Sequence, residues 1–417
     1  MRRYGRWMAV LGTVGVWWLL LSTGGRAGAN EAVPCVDGMA GPYPCENVDL
    51  LSYLTIDDLS PPSTPPENRW ASDLWGWANP ASGAEYALVG VEHGVSVVDV
   101  TDPEAAYVAA FIPAPVIEDP RGRVHDLKVY QNHAFIVSEI NDHGLQVIDL
   151  TALPDVEQVA WYQSFGAHNI AIDETSGYAY VSGSNTCSGG LHIVDIRTPS
   201  APTFVGCYAD HGYSHDAHCL TYPPGSAYPN QEICFSFTGD EIVVLLVTDK
   251  ADIEVLADVT YTGQEYVHQG WTTEDRQYLF QDDEFDEYQN GLNTTTYIWD
   301  ISDLSQPQLV STFANSTPAT DHNLYIRGDY VYEANYSAGM RVLDITTPTQ
   351  PCEVGYFDII PEDDNPGFFG AWTAYPFLPS GTLLLSGRQQ GLFVLQTGDL
   401  PGCESLPAAA FLPMILR

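Results

Sequence analysis

The chain has 417 residues, 15 basic against 54 acidic side chains, and a formal net charge of −39. Such a surface repels phosphate backbones and anionic lipid, which argues against nucleic acid and acidic membranes as partners. It attracts divalent cations, and it also keeps an exported protein in solution.

The N-terminus reads as an export signal. Arg2, Arg3 and Arg6 precede an apolar run from Trp7 to Leu21, and Ala27-Gly28-Ala29 fits the small-x-small cleavage rule. Residues 1–29 are therefore assigned as signal peptide. An uncleaved anchor is the alternative, although the run is short for a span. No membrane span is expected in the mature chain, which is expected to be monomeric. Residues 30–69 form a cap segment, with a short helix expected within Asp49 to Leu59 and a stiff Pro-rich linker from Pro61 to Pro66.

From Trp70 the chain repeats. An apolar-apolar-Asp-apolar tetrad ends a strand at Val97–Val100, Val147–Leu150, Ile193–Ile196, Ile298–Ile301 and Val342–Ile345. Val244–Val247 and Val394–Thr397 are degenerate copies lacking the Asp. The marked positions are 44 to 54 residues apart. Thr-x-Pro or a relative often follows, so the Asp is expected to bond backbone donors of that turn. Period-two alternation between Gly, Asp, Asn and Pro predicts short antiparallel strands. Seven such units over residues 70–398 imply an all-β fold, a seven-bladed β-propeller of four-stranded blades. The seventh unit lacks a fourth strand, which the cap segment could supply to latch the ring.

Five units open with His followed by Asp, Asn or Gln: His125-Asp126, His168-Asn169, His215-Asp216, His268-Gln269 and His322-Asn323. The innermost strands of a propeller start around one mouth of the channel, so these imidazoles converge there. They fit a transition metal or small ligand, with His218 as a further member. The competing role is structural: each His clamps the next blade's backbone while the following Asp or Asn fixes its tautomer.

The run Asp282, Asp283, Glu284, Asp286 and Glu287 offers hard oxygen ligands for Ca²⁺. A solvated acidic turn is the alternative. It is not an EF-hand, since Glu287 stands at the turn-glycine position. Eight cysteines in an exported chain point to disulfides, paired by proximity as Cys35 with Cys45, Cys187 with Cys207, Cys219 with Cys234, and Cys352 with Cys403. No hydrolase elbow, P-loop, dinucleotide fingerprint or HExxH occurs, so no catalytic residue is identified. Residues 399–417 form a tail that ends in a short apolar segment, Pro407 to Leu416, before Arg417. It is too short to span a membrane and reads as a sorting segment or a docking strand.

Several stretches together resemble the choice-of-anchor B proteins, which carry LVIVD-type propeller repeats. They include Cys35-Val36-Asp37-Gly38-Met39-Ala40-Gly41, Leu74-Trp75-Gly76-Trp77, Gly212-Tyr213-Ser214-His215-Asp216 and His268-Gln269-Gly270-Trp271. Asp283-Glu284-Phe285-Asp286-Glu287 and Asp321-His322-Asn323-Leu324-Tyr325 extend the match. The resemblance implies secreted or cell-surface placement and carries no reaction. The leading expectation is a ligand- or protein-binding scaffold. The alternatives are a metal-dependent enzyme at the histidine mouth and a Ca²⁺-stabilised surface protein.

Overall fold

The computed structural model describes residues 32–116 and 125–405. The expected signal peptide and most of the expected tail segment lie outside them. Seven sheets of antiparallel strands are arranged as a ring, five of them built from four consecutive strands and two completed by N-terminal strands. Blade 1 comprises Ala71–Ala78, Glu85–Val91, Gly94–Asp99 and Tyr107–Pro113. Blades 2 to 6 repeat this plan, and their innermost strands are His125–Tyr130, Asn169–Asp173, Asp216–Thr221, Val267–Thr272 and Leu324–Arg327. Blade 7 has Ala371–Tyr375, Leu383–Gly387 and Gly391–Thr397, and its fourth strand is Val48–Thr55 from the N-terminal segment. The chain thus closes its last blade with its first long strand. The expected helix shrinks to Ile56–Leu59, because Val48–Thr55 is taken up by this pairing. Thr55 caps the short helix, its hydroxyl accepting from the Asp58 amide at 3.2 Å.

The repeat Asp acts as expected. Oδ1 of Asp99, Asp149, Asp195, Asp300 and Asp344 accepts the amide two residues on, at 2.7 to 3.0 Å. Each bond makes an Asx turn, which redirects the chain toward the outer strand. In blade 4 the tetrad lacks Asp, and Asp249 makes the same bond to Ala251 three residues later, at 3.0 Å. Glycine is required where the third strand begins. Gly144 has φ +70°, and a Cβ there would lie 1.9 Å from the Gln163 carbonyl oxygen; one at Gly339 (φ +75°) would lie 2.2 Å from the Phe357 carbonyl oxygen.

The core lies between blade faces, where branched side chains such as Val97, Ile148, Val194 and Leu343 are fully buried. Burying each contributes about 1.5–3 kcal/mol. All four expected disulfides are present, and no described cysteine is free. An N-terminal hairpin, Met39–Ala40 with Tyr43–Glu46, adds to the outer edge of blade 6, and Cys35–Cys45 ties it. Among the described residues no helix is long and apolar enough to cross a membrane.

Candidate functional site

Polar side chains near the start of the inner strands join each blade to the next. Asp126 Oδ2 accepts the Ile170 amide at 2.6 Å, and Asn169 Nδ2 donates to the His215 carbonyl at 3.3 Å. Gln269 exchanges two bonds with the Leu324 backbone, at 3.1 and 3.2 Å. Asn323 donates to Thr373 Oγ1 at 3.1 Å, and Thr373 donates to Asp73 at 2.5 Å. Lys128 then bridges Asp73 and Asp126, at 3.1 and 2.7 Å. The residue after the His thus does this clamping at Asp126, Asn169, Gln269 and Asn323, four of the five positions, a role that was one expectation for the His itself. His322 bonds the next blade's backbone directly, through Nδ1 to the Trp372 carbonyl at 2.7 Å, and His268 reaches the His322 backbone as well.

Four of the histidines stand in a row at the mouth. Ring centroids are 4.5 Å apart for His168–His215, 4.5 Å for His215–His268 and 4.7 Å for His268–His322. Each Nδ1 is engaged. His168 meets Glu139 at 2.8 Å, His215 meets Tyr266 at 2.9 Å, and His268 meets Asp282 at 3.0 Å. A carbonyl only accepts, so His322 carries its proton on Nδ1 and presents the Nε2 lone pair. Donation from His268 to the Asp282 carboxylate does the same. Carboxylate and carbonyl partners of this kind orient metal-bound imidazoles.

Both Nε2 atoms point at Glu284. His268 Nε2 lies 3.9 Å from one carboxylate oxygen and His322 Nε2 lies 4.0 Å from the other. These separations are too long for hydrogen bonds. They exceed the about 3.3 Å edge of a tetrahedron with zinc-length bonds, so a small inward movement would close the three donors on one ion. His268, Glu284 and His322 are all buried and could hold a metal together. His215 Nε2, next in the row, is buried without a hydrogen-bond partner.

The electrostatics favour a cation. Burial pulls His268 and His322 down, so both are neutral donors at pH 7. Burial lowers His215 too, and the neighbouring imidazoles, His168 first, act in the same direction. Burial also acts against a charge on His168, but the Glu139 hydrogen bond and charge outweigh it and hold that imidazole above its ordinary value. Burial raises Glu284, with His268 pulling it back. Tyr336 donates to Glu284 Oε1 at 2.8 Å and packs on the His322 ring at 4.8 Å. It does so from a left-handed backbone, φ +26°, a costly conformation for an aromatic residue.

The other two predicted histidines are elsewhere. His125 faces His143, ring centroids 5.5 Å apart. His218 lies three residues farther along its strand, stacked on Trp271 at 4.0 Å and bonded to Thr272 at 3.1 Å.

The acidic run is not a solvated turn: Asp282, Asp283, Glu284, Asp286 and Glu287 are all buried. It divides by role. Asp282 and Glu284 serve the histidines. Asp283 accepts from Tyr261, Glu265 and Tyr266 at 2.6 to 2.8 Å, fixing the chain that enters blade 5. Asp286 and Glu287 share a side-chain hydrogen bond, and the charges of both act on buried Asp321. Burial lifts Asp286 to about 7; burial and then Asp286 lift Glu287 to about 10. Sequence reasoning missed Glu139, Tyr266, Asp321 and Tyr336. Asp321 carried a signal, standing directly before a repeat His.

The LVIVD repeat family matches residues 166–210, 291–315 and 321–359. These segments fall in blades 3, 5 and 6. A search of the curated proteins finds no match. Among solved structures, the chain is similar to a protein from Lactobacillus plantarum, with 12% identity, TM-score 0.50, and coverage of 76% of this chain and 88% of that one. It is also similar to the β-propeller domain of Cps50 (Swd1) from Myceliophteria thermophila, with 9% identity, TM-score 0.53, and coverage of 79% and 96%. At these identities the likeness concerns the fold.

Proposed function

We propose that this is an exported, surface-associated propeller of the choice-of-anchor B type, which binds a first-row transition metal at its histidine mouth and presents that mouth to a ligand. The observation that carries this reading is the convergence of His268 Nε2 and His322 Nε2 on Glu284, at 3.9 and 4.0 Å, with each Nδ1 already engaged. Two imidazoles and a carboxylate suit zinc or iron and leave coordination positions for a ligand. Those open positions also fit the alternative, a metal-dependent enzyme. Four disulfides fit an oxidising, extracytoplasmic compartment.

The test is metal analysis of the oxidised, exported protein after loading and desalting. About one zinc or iron per chain is expected. A His268→Gln, His322→Gln double variant that still melts cooperatively should lose it. Retention of the same metal by that variant sinks the reading. A second reading rests on the burial of the acidic run itself: Ca²⁺ held by Asp286 and Glu287 would stabilise the fold. Added Ca²⁺ should then raise the melting temperature of the natural chain and leave a Glu287→Gln variant unmoved.

A further inference from the structure

The channel holds a second chamber, on the far side of the polar layer that joins the blades. The histidines sit where the inner strands begin, and this cavity of about 380 Å³ runs along those strands from Asp216 and Gln269 in the polar layer to Thr221 and Tyr375 at their far ends. Its volume falls in the range of small-molecule sites. Trp75, Trp271, Tyr325, Tyr375 and Phe377 wall it. They form one aromatic box: Trp75 meets Tyr375 at 5.0 Å, Trp271 meets Tyr325 at 5.1 Å, and Phe377 meets Tyr375 at 5.3 Å. Four of the five come from four different inner strands, and Phe377 follows two residues after the last of them.

The charge inside is unusual for this chain. Lys128 reaches the chamber over the Trp75 face, 4.7 Å from its centroid, but it is held by Asp73 and Asp126. Asp173 accepts from Thr221 at 2.5 Å and from the Thr175 amide at 2.9 Å. Arg276 differs. Its guanidinium donates from Nη1 to the Thr273 carbonyl at 3.1 Å and to Thr272 Oγ1 at 3.5 Å, while its buried Nε has no hydrogen-bond partner. Among the described residues no carboxylate forms an ion pair with it, although acidic side chains outnumber basic ones 54 to 15. A guanidinium that offers a free N–H beside an apolar box is complementary to a carboxylate with a flat apolar body.

We propose that this chamber binds a small aryl carboxylic acid, its ring held in the aromatic box and its carboxylate on Arg276. An organic cation fits less well, because Lys128 already occupies the Trp75 face. A neutral sugar would leave Arg276 Nε unpaired. The aromatic box and Arg276 lie away from the histidine row, with Gln269 of the polar layer in the wall between them.

The experiment is calorimetric titration of the full disulfide-bonded protein with phenylacetate and indole-3-acetate. Phenylacetamide serves as the neutral isostere and benzyltrimethylammonium as the cation. The carboxylates should bind at least tenfold tighter than the amide. Arg276→Gln should remove that preference, and Arg276→Lys should restore part of it, with melting temperature confirming the fold of each. Trp271→Ala should weaken acid and amide alike, and His268→Gln should change neither. Equal affinity for acid and amide, preference for the cation or a neutral sugar, or no heat at millimolar carboxylate would each overturn the proposal.

Discussion

At His322 a single hydrogen bond decides which nitrogen is available. Nδ1 donates to the Trp372 carbonyl, so the lone pair on Nε2 faces Glu284. The neighbouring carboxylates make this region sensitive to pH. Asp286 and Glu287 bind protons more tightly in the folded chain than in the unfolded one, because burial raises both. Stability from this source is complete below the unfolded carboxylate values, near 4. It declines as pH rises through about 7 for Asp286 and about 10 for Glu287. In chelator, the melting temperature should therefore fall between pH 5 and pH 8, and Glu287→Gln should flatten the fall. A melting temperature that rises over that interval in both proteins would contradict this account of the burial.

The strand Val48–Thr55 is the element on which closure depends. It pairs with Gly391–Thr397, and Tyr53 stacks on Phe393 at 4.4 Å while Tyr43 meets Phe393 edge-on at 5.3 Å. Deleting residues 30–60 exposes the Gly391–Thr397 edge and should lower the melting temperature sharply; an unchanged value would show that the strand is dispensable. Phe393→Ala, which empties the same contact, should cost about 3–5 kcal/mol in denaturant unfolding. This element was legible only indirectly, through a seventh unit one strand short. Its own residues fall largely within Asp49 to Leu59, where a short helix is expected, whereas the helix is confined to Ile56–Leu59. The tetrad Asp was legible because its work is local: one side chain bonds an amide two residues away. The mouth was legible as far as position went, because five histidines recur at one register. Where each Nε2 points was not, since Glu139, Asp282 and Tyr266 come from other strands and loops. The buried state of Asp286 and Glu287 was hidden for the same reason, as an acidic run has no local mark of burial.

Across the whole molecule, four covalent staples reinforce a ring whose blades are otherwise joined by packing and single polar contacts. The Cys352–Cys403 bridge spans 51 residues, including all of the chain's last three strands. By loop entropy, its loss should cost roughly 2–4 kcal/mol. A Cys352→Ser, Cys403→Ser variant compared by urea titration reads that difference, and identical midpoints would count against a stabilising role.

The two ends of the described chain also meet on one blade. The N-terminal hairpin lies against the outer edge of blade 6, and Cys403 is bonded to Cys352 on that blade's outer strand. Tension applied at the C-terminal end therefore enters blade 6 through a covalent bond. It bypasses Gly391–Thr397 and leaves the closing strand under no direct pull. A protein tethered by its tail and tugged by a ligand at the mouth would be loaded across a disulfide instead of being unzipped from its last hydrogen-bonded seam.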